Sequence, residues 1–127
     1  MESLSQVREP RPLTEDERVL IGWMLRESSD GRFIEQLARA RVVSGCDCGC
    51  ASIHLEIDGC PPPAGGLRII GDYLFGEGDE LQGAFVFERG GVLSGLEVCG
   101  YGSDAPARLP LPTDLRPWTQ GSEPPRT

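Results

Sequence analysis

The sequence contains no lysine and no asparagine, so all 12 of its basic side chains are arginines. There are 20 acidic residues, which gives a formal net charge of −8. Because a chain this acidic repels a phosphate backbone, and because its arginines are scattered, the sequence predicts no nucleic-acid binding. An acidic surface is suited instead to steering the protein toward a basic protein partner.

Long hydrophobic runs are also missing. No apolar run approaches the roughly 18–20 residues of a membrane span. The first residues, Met1 to Gln6, have neither the basic nor the apolar region of a secretory signal. These absences predict a cytoplasmic protein without membrane association, and nothing in the pattern indicates an oligomeric state.

Glycine and proline are abundant, with 17 and 11 residues, and 39% of the chain is hydrophobic. This composition and length predict one compact domain with a modest core. We expect a flexible leader at 1–12, a single α+β domain at 13–102, and an extended proline-rich tail at 103–127 pinned by Leu111, Leu115 and Trp118.

Helix signals occur together after the leader. Thr14 followed by Glu17 fits a capping box, in which each residue's side chain binds the other's backbone N–H. An apolar stripe then follows at helical spacing, and Phe33, Ile34 and Leu37 form a second, shorter one. The sequence therefore predicts a helical hairpin at about 14–41.

Strand signals occupy the second half of the chain. Val42-Val43 is a short candidate strand that ends at Gly45, residues 51–58 alternate between apolar and polar side chains, and 67–75 form a further candidate strand. Residues 81–89 and 92–101 are typical of a hairpin about Gly90-Gly91, a dipeptide that supplies the positive φ values of a tight turn. The predicted fold is α+β, with the helical hairpin packed on a four- or five-stranded antiparallel sheet.

A two-residue turn at Gly90-Gly91 predicts the register of this hairpin. It places Phe87 opposite Ser94 and Phe85 opposite Leu96. The predicted core face then consists of Leu81, Phe85, Phe87, Leu96 and Val98. The predicted opposite face consists of Gln82, Val86, Glu88, Leu93, Glu97, Cys99 and Tyr101.

Three of the five cysteines, Cys46, Cys48 and Cys50, lie within five residues. One hypothesis is a zinc site made by these thiolates and His54. In a regular strand, however, Cβ atoms two residues apart are roughly 6.6 Å from one another, so such a site requires a turn at 47–49. The alternatives are small, partly buried side chains without chemistry, or a thiol-based activity.

The Cys46–Cys50 segment, together with Leu96-Glu97-Val98 in the hairpin and Asp104-Ala105-Pro106 in the tail, carries a resemblance. In these segments the chain resembles small uncharacterised bacterial proteins that share a C-x-C-G-C motif and an L-E-V strand. Some of these are similar in size and acidity to immunity proteins of bacterial toxin systems. The resemblance carries no assigned activity and transfers no catalytic residue, and the likeness to immunity proteins is an analogy of size and charge.

Strand alternation places several acids on the sheet face that the helices leave open. We therefore expect a non-enzymatic binding protein that presents this face to a basic protein partner, an immunity-type inhibitor being the most concrete form. Alternatives are the zinc-binding or thiol-based protein, and a small biosynthetic enzyme or accessory with a pocket between sheet and tail. The predicted partner-binding residues are His54, Glu56, Asp58, Glu88, Glu97 and Tyr101.

Overall fold

The computed structural model describes residues 4–28, 31–46, 50–101 and 108–117. One strand and two helices come first, and further strands follow. The helices are α1, Glu15–Glu27, and α2, Gly31–Leu37. The strands are β1, Leu4–Pro12; β2, Ala40–Cys46; β3, Ile53–Ile57; β4, Leu67–Phe75; β5, Gln82–Arg89; β6, Val92–Gly100; and β7, Arg116–Pro117.

The strands form one antiparallel sheet in the order β1-β2-β3-β6-β5-β4-β7. The fold is therefore α+β, as the sequence predicts. The predicted number of strands was wrong, because the described part of the chain contains seven rather than four or five. The additional strands are the two edges, β1 and β7, which come from the segments assigned to the leader and the tail.

The predicted leader contains the edge strand β1, which pairs with β2. Prolines are tolerated there because the outer side of an edge strand needs no ladder hydrogen bonds. The strand is held by Arg41, which donates to the Pro10 carbonyl at 2.8 Å, and by Arg11, which pairs with Glu17 of α1 at 3.0 Å. Residues 4–12 are therefore part of the sheet.

The described part of the tail, 108–117, contains the short strand β7 beside β4. Leu109 and Leu115 pack against the core, whereas Leu111 is 63% exposed. Leu115 therefore contributes to pinning the tail as predicted, and Leu111 does not. Trp118 lies outside the described residues.

The helical hairpin is confirmed. Thr14 accepts from the Glu17 backbone N–H at 3.1 Å, and the Glu17 carboxylate accepts from the Thr14 N–H at 2.8 Å, which completes the capping box. Leu20, Met24 and Phe33 are fully buried against the sheet. Among the described residues, neither helix has the length and apolar character that crossing a bilayer requires.

Both helices cover the same face of the sheet, and the core lies between the helices and that face. The strand residues of this core include Val42 and Leu55 at one side and Val86, Leu96 and Val98 near the centre. The opposite sheet face carries no helix among the described residues. We refer to it as the outer face.

The β5–β6 hairpin is confirmed, with φ values of 60° at Gly90 and 85° at Gly91. Its predicted register was wrong. A β-bulge after Phe87 places Phe87 opposite Gly95 and Phe85 opposite Glu97. Because one residue of slip exchanges the two faces of a strand, the two phenylalanines lie on the outer face. Val86 and Leu93, predicted there, are buried in the core.

Candidate functional site

Two aromatic rings lie directly against the backbone of the outer face. A Cβ atom built on Gly83 would be 2.8 Å from the Tyr101 hydroxyl oxygen, and one built on Gly95 would be 2.7 Å from Cζ of Phe87. Only glycine leaves room for rings at these positions. The outer face therefore has an aromatic floor, which Phe85 extends, since its ring centroid is 5.9 Å from that of Phe87.

Two carboxylates flank Phe85 on the neighbouring strands. Asp72 of β4 and Glu97 of β6 both lie opposite it in the sheet register. Partial burial raises the pKa of both acids above their ordinary values, although a hydrogen bond from Ser52 partly offsets the effect at Glu97. Among the described residues, neither carboxylate forms an ion pair with an arginine.

Cys99 and Tyr101 lie beside these acids and bind each other through their side chains. Burial raises the pKa of Tyr101 to about 12, and the neighbouring Cys99 contributes. Burial also raises the pKa of the Cys99 thiol, and the negative charges of Glu97 and Asp72 raise it further. Both groups are therefore protonated at neutral pH. Cys99 has the opposite electrostatics to a reactive cysteine, whose thiolate is stabilised by positive charge.

Four of the six predicted partner-binding residues lie on the outer face. Glu97 lies opposite Phe85 and Tyr101 packs over Gly83, while His54 stands opposite Gly95 on β3. The imidazole of His54 packs edge-on against Phe87, with ring centroids 5.9 Å apart. Glu56 follows two residues later on the same side of β3, opposite Arg41.

The other two predicted residues have different surroundings. Asp58 lies just beyond the end of β3, at a positive φ of 54°, and pairs with Arg39. Glu88 is only 6% exposed and belongs to the helix-facing side of β5. Its carboxylate accepts from the Gly91 backbone N–H at 2.7 Å, which lowers its pKa, and it also pairs with Arg68. Glu88 therefore stabilises the hairpin turn.

Asp72 and Phe85 lie on the outer face but are not among the predicted partner-binding residues. Phe85 was assigned to the core because the bulge was not anticipated. Asp72 did carry a signal, since it is the only acid within the apolar strand Leu67–Phe75. A charged side chain in the middle of such a strand marks the side that faces away from the core.

Comparison of the chain with protein-family models, with curated proteins and with solved structures finds no match.

Two of the four predicted zinc ligands cannot be placed, because Cys48 and the side chain of Cys46 lie outside the described part of the chain. Cys50 is half-buried, with its sulfur 3.5 Å from the Ser52 hydroxyl. Strands β2 and β3 are antiparallel, so the chain reverses between Cys46 and Ile53, and the spacing of a straight strand does not apply there. The described residues hold no group of three metal-ligating side chains. The zinc site stays a prediction, for which elemental analysis is the test.

A cleft of about 540 Å³ does lie between the sheet and the tail. Phe75 and Gln82 line it from the sheet, and Leu109, Pro110 and Arg116 line it from the tail. Its titratable lining residues are two acids and two arginines, without a histidine or cysteine. The enzyme or accessory hypothesis stays a prediction.

Proposed function

We propose that this protein is a non-enzymatic binding protein that holds a basic protein partner against its outer face. Its most concrete form is an immunity-type inhibitor that acts by occluding the partner's surface. The observation that carries the proposal is the pair of half-buried carboxylates, Asp72 and Glu97, on either side of Phe85.

The use of arginine elsewhere in the fold makes these two acids distinctive. Glu17, Asp58 and Glu88 are each bound by an arginine of the same chain. Asp72 and Glu97 carry a desolvation penalty without such a partner in the described part of the structure. A carboxylate that is partly buried and unpaired gains most from a cation supplied by another molecule.

Phe85 adds a second recognition element for a cation. Asp72 and Glu97 stand on the strands on either side of it, so their backbones are roughly 10 Å apart. An arginine or lysine side chain above the ring would meet the negative face of the π-system and a carboxylate on each side. The net charge of −8 draws a basic partner toward this face from a distance.

The proposal is tested with two variants that remove equal charge from different places. The outer triple is Glu56→Gln, Asp72→Asn and Glu97→Gln. The control triple is Glu77→Gln, Asp79→Asn and Glu80→Gln, in an exposed turn before β5. Each triple removes three negative charges, so long-range attraction falls equally in both, and only the outer triple removes the contacts.

Immobilised protein should retain a basic protein from the extract of its native cells at low salt, and high salt should release it. We expect the outer triple to bind that protein about tenfold more weakly than the control triple does. Equal weakening of both triples, or retention of no basic protein at low salt, would contradict the proposal. A toxin-like coding sequence beside the gene would support the inhibitor form.

A further inference from the structure

The loop between β3 and β4 crosses the end of the β5–β6 hairpin and forms one wall of a second cleft. Strands β3 and β4 are separated in the sheet by β6 and β5, so residues 58–66 must pass over both. Pro63 lies so close to the hairpin turn that a Cβ on Gly90 would be 2.7 Å from its Cγ. Three consecutive prolines, Pro61 to Pro63, stiffen the wall.

The cleft beneath this loop has a volume of about 420 Å³, within the range of small-molecule sites. Its lining is largely apolar and includes the proline wall and Val43. Residues with polar side chains line it from four strands: Ser44 from β2, His54 from β3, Ser94 from β6 and Arg89 from β5. An apolar cleft with a few convergent polar groups is the usual form of a ligand site.

Arg89 is the unusual member of this group. Its guanidinium donates one hydrogen bond, to the Gly65 carbonyl at 2.7 Å, and lies 5.8 Å from the centroid of the Phe87 ring. No carboxylate within residues 4–28, 31–46, 50–101 and 108–117 forms an ion pair with it. In a chain with a net charge of −8, a cation held without a counter-ion in a cleft is suited to an anion from solution.

His54 faces the same space. Burial lowers its pKa, and the positive charge of Arg89 lowers it further, so the imidazole is neutral at pH 7. A neutral imidazole still offers one N–H donor. Within the described residues its ring packs against Phe87, and the residue lines the cleft. The nearest acid on its own strand face is Glu56, two residues away.

We propose that this cleft binds a small organic anion, with the acidic group held by Arg89 and His54 and the apolar body packed against Pro61–Pro63. The site shares His54 with the predicted partner-binding residues, but the partner proposal depends on Asp72 and Glu97, which differ from Arg89 in position and in charge. Loss of partner binding would therefore leave it intact, and its failure would leave the partner proposal intact.

The single histidine of the chain makes the test direct, because its ring gives the only imidazole signals in an NMR spectrum. The probes are benzoate and phenyl phosphate, with neutral benzyl alcohol and cationic benzylamine as matched controls. We expect one or both anions to shift the His54 signals saturably and to raise its pKa, because a bound negative charge favours the imidazolium. The two anions distinguish a carboxylate site from a phosphate site.

Arg89→Gln removes the charge and should weaken binding of the anion about tenfold. Arg116→Gln, an exposed arginine at the far edge of the sheet that is bound to the Gly76 carbonyl, is the control and should leave binding unchanged. The amide spectrum of each variant reports whether the fold is kept. Arg89→Lys, which keeps a charge without the planar fork, serves if the glutamine variant does not fold. A response to the alcohol equal to that of the anions, no saturation with either anion, or unchanged affinity after substitution of Arg89 would overturn the proposal.

Discussion

Gly95→Ala is expected to lower the free energy of unfolding by about 3 kcal/mol. The added methyl group would be 2.5 Å from the carbonyl oxygen of Ile53 and 2.7 Å from Cζ of Phe87. The first neighbour is backbone in the adjacent strand, so it moves only if the β3–β6 pairing is strained. The second is a ring already packed against His54 and Phe85. Neither clash is relieved by rotating a flexible side chain.

Gly66→Ala is the matched control, because Gly66 is exposed and a Cβ there would meet nothing within 4 Å. We expect its unfolding free energy to stay within about 0.5 kcal/mol of the original. Urea denaturation followed by fluorescence measures both variants. Equal stability of the two would show that the rings do not lie on the sheet as described. The His54 ring signals should also shift in Gly95→Ala, since Phe87 must move.

The outer face around Gly95 could be predicted only in part from the sequence. Alternation correctly located β3, β4 and the β5–β6 hairpin, including its glycine turn. It could not locate the bulge, which exchanges the faces of Phe85 and Phe87. A long-range contact lies beside the bulge: Gln36 of α2 donates to the Gly91 carbonyl at 3.0 Å and accepts from the Leu93 N–H at 2.7 Å. Gln36, which is 57 positions before Leu93 in the sequence, thus holds the start of β6.

The two edge strands were missed for a related reason. Residues 4–12 have neither clean alternation nor a strong apolar face, so local propensity favours a loop. The pairing of β1 with β2 involves a partner that is distant in sequence, since Arg41 donates to the carbonyl of Pro10, 31 positions before it. Edge strands carry little hydrophobic signal because one side of their backbone needs no neighbour.

Replacing Asp72 by Asn together with Glu97 by Gln is expected to raise the free energy of unfolding by about 1 kcal/mol at pH 7. This figure is already reduced for the solvent that still reaches both groups. Burial penalises the charged carboxylates more than it penalises neutral amides in the same places. Most substitutions destabilise a protein, so a gain of this size would identify a face on which charge is kept at a cost in stability.

The pH dependence of this gain has a definite sign. Because burial raises the pKa of both acids, the folded state holds their protons more tightly than the unfolded state does. Stability of the original protein therefore falls as the pH rises from the unfolded values, near 3.8 and 4.5, through the raised folded ones. The gain in the amide variant should be complete at neutral pH and absent below about pH 3.5.

Two further measurements separate this explanation from a general effect of lower net charge. Glu77→Gln with Asp79→Asn, which removes the same charge from an exposed turn, should change stability by less than about 0.5 kcal/mol. The Cys99 thiol should also titrate at lower pH in the Asp72/Glu97 variant, since both acids raise its pKa. Thiol labelling as a function of pH reports this change. If the amide pair leaves both the stability and the thiol titration unchanged, the two carboxylates are fully hydrated, and the outer face loses its preference for a cationic partner.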